Sequence, residues 1–158
     1  MHHFEEAVRV EPGLADDHLM LGDLLAQKGL PQAAAVHYEA ALNLKPANLQ
    51  LLNNFAWLLA TASESSVRNG PRAYELALQA RRLSSGRNPA VLETFAAACA
   101  EAGKLTEAVA SARAAAELAG AQSNAALVEK LQAELKLYEA GSTLREAPSS
   151  PRPGEQKR

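Results

Sequence analysis

The side chains best suited to chemistry in this chain are its four histidines, its single cysteine and a few paired acids. A zinc site needs three or four His, Cys or carboxylate ligands at spacings that one turn or one helix face can bring together. His2, His3, His18 and His37 have neither an i, i+4 pairing nor nearby cysteines, and His2 and His3 lack a third ligand close in sequence. Cys99 stands alone in an apolar stretch, where a small thiol packs as a hydrophobe and cannot close an intrachain disulfide. Glu5 with Glu6, Asp16 with Asp17, and Glu101 with Glu107 fall on polar helix faces or turns, the usual home of solvated carboxylates. Neither a Gly-x-x-x-x-Gly-Lys phosphate loop nor a Gly-x-Ser-x-Gly nucleophile turn occurs, and no strand-turn-helix pattern would support one. The pattern points away from an enzyme and implies no metal and no cofactor.

Whatever these residues do, helices must position them. Alanine is abundant, aromatics make up 4% of the 158 residues, and Val and Ile are too few to furnish several strands, so the composition implies an all-α fold of closely packed helices. A formal charge of -2, from 16 Lys and Arg against 18 Asp and Glu, offers no broad positive field for phosphate backbones and argues against a nucleic-acid partner. No apolar run reaches the roughly 18 residues that cross a bilayer. The first residues also lack the apolar segment of a signal peptide. The chain is therefore expected in the cytoplasm without direct membrane insertion, or in the periplasm if a longer parent is exported.

The strongest pattern is self-similarity. Phe4, Ala7 and Pro12 recur 34 residues later as Tyr38, Ala41 and Pro46. Leu21, Gly22 and Leu25 recur as Phe55, Ala56 and Leu59, then as Phe95, Ala96 and Cys99. Ala73, Ala77 and Ala80 recur as Ala108, Ala112 and Ala115. Within each unit apolar residues fall at three- and four-residue steps, interrupted midway by turn residues, so each unit reads as two helices. Three units result, over 15–48, 49–88 and 89–121. In the first, Gly29 ends one helix through its easy access to positive φ and Pro31 opens the next, where its missing N–H is harmless. Gly22 and Ala34 are expected to face each other across the hairpin, so a large side chain at Gly22 should wedge it apart.

The residues Leu21, Gly22, Gly29, Ala34, Tyr38, Ala41 and Pro46 make the stretch from Ala15 to Pro46 resemble the tetratricopeptide repeat family. His18 stands where that family often has Trp, and Ala56 and Ala96 replace the glycine in units two and three, whose second helices carry Ala73 and Ala108 at the small position. The resemblance covers about residues 4 to 119, and from Asn54-Phe55-Ala56-Trp57 onward it is similar to the C-terminal repeats of large bacterial members. It implies a right-handed α-solenoid. Around it, 1–14 reads as the second helix of a truncated preceding repeat. Residues 62–70 read as a surface loop between the helices of unit two, 122–140 as an amphipathic capping helix, and 141–158, rich in Pro and Ser, as a disordered tail.

In that family the first helices of successive hairpins line a groove that holds a peptide or helix of another protein. Carrying the groove positions over gives Asp16, Leu19 and Asp23, then Gln50, Asn53, Asn54 and Trp57, then Glu93, Thr94 and Ala97. The surface they imply is acidic and amidic around one tryptophan, suited to a peptide with a hydrophobic anchor and a basic or neutral flank. Trp57 could equally pack between helices. Members that clamp a C-terminal carboxylate use Lys, Asn, Asn, Lys and Arg where this chain has Leu19, Asp23, Asn54, Ala90 and Thr94; only Asn54 agrees, and Asp23 would repel the ligand. The expected function is a protein interaction scaffold. Two alternatives come from the unpaired helix around Phe4 and Val8: a non-catalytic region of a longer protein bearing a membrane or glycosyltransferase domain, or self-association through that exposed half-repeat.

Overall fold

Most helices begin where the sequence supplies either a partner for their unpaired N–H groups or a proline that lacks one. The computed structural model describes residues 13–146 and contains, among them, seven helices and no strand. They are α1 Leu14–Gln27, α2 Pro31–Leu44, α3 Leu49–Thr61, α4 Gly70–Leu83, α5 Pro89–Glu101, α6 Leu105–Ala121 and α7 Ala125–Glu139. Asn48, Asn69, Asn88 and Asn124 cap α3, α4, α5 and α7 through their side-chain oxygens, each accepting from a backbone N–H two or three residues on. Pro31, Pro71 and Pro89 occupy the first turn of α2, α4 and α5. The α1–α2 and α5–α6 turns close alike: Gly29 and Gly103 take φ of 75° and 82°, and the following N–H reaches back to Leu25 or Cys99.

Each helix packs on the next in chain order, and α1, α3 and α5 also touch one another in sequence, so the first helices of the three hairpins form a layer. Small residues make the close approach possible. Ala34, Ala41, Ala56, Ala73, Ala77, Ala96, Ala108 and Ala112 are all buried in one core with Leu51, Leu52, Phe55 and Phe95. Every residue of α5 from Val91 to Ala100 is buried, which its alanines permit by letting neighbouring helices in on all sides. Gly22 answers a specific neighbour: a Cβ there would lie 2.5 Å from the Tyr38 ring. In the second and third hairpins the residues corresponding to Tyr38 are Ala77 and Ala112, and Ala56 and Ala96 are accommodated where Gly22 stands. A smaller cluster of Leu92, Ala115, Ala119 and Leu131 seats α7 against α5 and α6.

Two segments differ from expectation. The 62–70 segment is exposed at Ser63–Ser66 and Asn69 but not throughout. Ala62, Val67 and Gly70 are buried, Asn69 donates to the Leu59 carbonyl, and Arg68 Nη1 donates to the carbonyls of Ala62 and Ser63. The segment is thus tied down, because its one branched apolar residue, Val67, finds the core. Part of the segment expected to be disordered, 142–146, instead packs against the helices. Leu144 packs on the core, Arg145 donates to Glu101 Oε2 at 2.7 Å, and the Glu146 N–H donates to the Thr61 carbonyl at 2.7 Å. Residues 142–146 form a strap across the C-terminal ends of α5 and α3. Glu101 is no solvated acid: 15% exposed, it also meets Arg68 Nε at 3.4 Å, joining loop and strap. The expected half-repeat through Phe4, Val8 and Pro12 lies outside the described residues, as does the tail beyond Glu146.

Candidate functional site

The first-helix layer is indented by a recess of about 370 Å³ between α1, α3 and α5, with Lys130 of α7 and Glu146 of the strap at its margin. Its wall on the α1 side is a hydrogen-bonded triad. Tyr38, 2% exposed, donates its hydroxyl to Asp23 Oδ1 at 2.7 Å, and Asn54 Nδ2 donates to the same oxygen at 2.9 Å. Burial first, and the Asp23 bond second, push the Tyr38 hydroxyl well above its usual range, so it stays a donor. Asp23 is thereby held by two donors from two other helices.

The opposite wall carries charge. Lys130 Nζ lies 2.9 Å from Glu93 Oε1 and 5.3 Å from the centre of the Trp57 ring, so one ammonium is held by a carboxylate and an aromatic face together. Partial burial pulls Lys130 down, but the Glu93 bond and the neighbouring carboxylates outweigh it and leave its pKa raised. Glu93 is buried, with only 8% of its side chain exposed. Behind it Glu134 is 4% exposed, and burial together with a hydrogen bond to Glu93 pushes its carboxyl up to about 8. Glu134 therefore stands as a neutral acid beside Glu93 at pH 7. The Tyr138 hydroxyl, buried near both, and Asn53 Oδ1, in the recess, have no hydrogen-bond partner among the described residues.

The chain matches no protein-family model and no curated protein.

Of the residues expected to line a groove, the recess gathers Asp23, Asn53, Asn54, Trp57, Glu93 and Thr94. Trp57 is half-buried and satisfies both readings, packing on the core while lining the recess. Leu19 and Ala97 depart from expectation. They are 6% and 2% exposed and belong to the core, because α1 and α5 turn these apolar positions toward neighbouring helices. Asp16 lies outside the recess and meets Lys45 at 3.4 Å on the surface, while Gln50 is exposed and also outside it. Thr94 lines the recess, but its hydroxyl donates to the Ala90 carbonyl one turn back.

Sequence reasoning missed Lys130 and Glu146 as site residues, and treated Tyr38 only as a packing residue. Tyr38 alone left a signal: a tyrosine in an otherwise alanine-lined seam must find a partner for its hydroxyl. Elsewhere, His18 and His37 bring their Nδ1 atoms to 3.0 Å across the first hairpin, one donating to the other. Cys99 is fully buried, and burial pushes its thiol up to about 12, which leaves it an unreactive packing residue. Among the described residues no helix is long and apolar enough to cross a membrane.

Proposed function

We propose that this chain is a tetratricopeptide-type interaction scaffold that holds a segment of another protein on the face formed by α1, α3 and α5. The observation that carries this reading is the recess itself. Residues from the first helices of three successive hairpins converge there, offering an aromatic ring, the amides of Gln27, Asn53 and Asn54, and the carboxylates of Asp23 and Glu93 within one cleft. Such a mixture suits a peptide: the half-buried Trp57 supplies desolvated contact area, and Asn53 carries a carbonyl with no partner among the described residues, ready for a backbone N–H. Convergence of catalytic type, with a nucleophile beside a base, does not enter this reading, and the function proposed is recognition alone.

Panning an unstructured peptide library against the whole chain tests it. Binders should perturb the backbone amide resonances of α1, α3 and α5, and should be lost in a folded Trp57→Ala, Asn53→Ala double variant checked by circular dichroism. Binders that map to α2, α4 and α6, or that retain their affinity for the folded double variant, would refute the assignment.

A further inference from the structure

The recess already holds a cation, and that cation belongs to the chain. Lys130 reaches from α7 to place Nζ between the Trp57 ring and Glu93, while its own side chain remains 57% exposed. A side chain so open to solvent is not locked by packing; it is held by the two groups at its tip. Glu93, with Glu134 buried behind it, and Glu146 are the carboxylates that act on that ammonium, and Asp23 lines the same recess. Asp23 is committed to Tyr38 and Asn54, whereas Glu93 meets Lys130, with Glu134 and the Tyr138 hydroxyl nearby.

From this arrangement we infer that the recess is a subsite for a basic side chain, lysine or arginine, of the bound partner segment, and that Lys130 is an intramolecular occupant the partner displaces. This deepens the proposed function and rests on it. The chemistry is specific: an aromatic face and a largely desolvated carboxylate select a cation over a neutral side chain of similar length, and they repel an acidic one. Asn53 and Asn54, on the helix that carries Trp57, lie within the same recess to engage the partner's backbone. Displaced Lys130 swings into solvent, and with it goes the competition that keeps the affinity low.

The test uses Trp57 as its own reporter, since it is the single tryptophan of the chain. The probes are four acetylated, amidated peptides of one neutral sequence with lysine, arginine, norleucine or glutamate at the centre. Each is titrated to millimolar concentration against the full chain and against Lys130→Met and Glu93→Gln variants, all verified as folded by circular dichroism. Lys130→Met is expected to tighten the lysine and arginine peptides about tenfold relative to the unsubstituted chain, and Glu93→Gln to weaken them by a similar factor. The inference is overturned if norleucine binds Lys130→Met as well as lysine does, or if no basic peptide perturbs Trp57 emission in that variant. Library peptides that engage the α1, α3, α5 face with no need for a basic residue would overturn the subsite and leave the scaffold reading standing.

Discussion

Gly22→Ala adds one methyl group to the α1–α2 seam, and the structure fixes what it meets. The new Cβ would stand 2.5 Å from Tyr38 Cε1, 2.6 Å from Cδ1 and 3.2 Å from Cζ. Carbon atoms in contact sit about 3.5–4 Å apart, so the ring must retreat by about 1 Å. Tyr38 has little room to do so: it is 2% exposed, its ring lies 5.5 Å from that of Phe55, and its hydroxyl is bonded to Asp23. Overpacking of this kind destabilises by about 1–3 kcal/mol. Breaking a hydrogen bond to a charged acceptor adds about 1.5–3 kcal/mol. Against these, alanine is favoured over glycine inside a helix by about 1 kcal/mol. The contacts win, and a net loss of about 2–4 kcal/mol is expected, read by urea titration followed by circular dichroism. The same substitution on a Tyr38→Ala background should be neutral or slightly stabilising, because the propensity gain survives and the clash does not. If Gly22→Ala is harmless in the unsubstituted chain, or equally damaging without the tyrosine ring, the close approach is not what selects glycine here.

Two further predictions concern the charged groups. Glu134 carries a carboxyl pushed from 4.5 to about 8 by burial and by Glu93, so the folded chain keeps a proton that the unfolded chain releases. That contribution is complete below pH 4.5 and is lost as pH rises through 8, on the order of a few kcal/mol at 1.36 kcal/mol per pKa unit. Glu134→Gln should remove this decline, measured as the difference in unfolding free energy between the two chains at pH 5.5, 7 and 8.5. Taking the difference cancels His18, whose pKa is lowered by burial and His37 and whose effect runs the opposite way. Parallel pH curves for the two chains would exclude Glu134 as the source. Glu101→Ala strips the shared acceptor from Arg68 and Arg145 and should loosen strap and loop together, costing about 1–3 kcal/mol and raising amide exchange at both Asn69 and Glu146. Exchange unchanged at Glu146 would show that Leu144 and the Glu146 bond to Thr61 seat the strap without Glu101.

The hairpins were legible because their determinants are local. Gly29 followed by Pro31 writes a turn within three residues, and the seam alanines recur at a fixed step, so periodicity exposes both without knowledge of the rest of the chain. The site was legible only on the side built from α1, α3 and α5, where Asp23, Asn54 and Trp57 share a repeat position or lie one turn from it. Leu19 and Ala97 show the limit of that reasoning: a repeat position says which face a residue occupies on average, but the packing of α1 against α3, and of α5 against its neighbours, decides which of the adjacent residues is covered. Glu93 and Lys130 show a different limit. Alone, the α5 sequence presents Glu93 and Thr94 as a polar stripe, and α7 presents Lys130 as one of several solvated charges. Only the docking of α7 through Leu131 against Leu92 brings an ammonium 37 positions away onto a buried carboxylate. The same holds for the strap, where Leu144 is the only large apolar residue in a segment whose composition otherwise predicts no contact at all. What closes the recess is thus supplied by the two elements that carry no repeat signature, and any partner that enters must first negotiate Lys130 and Glu146.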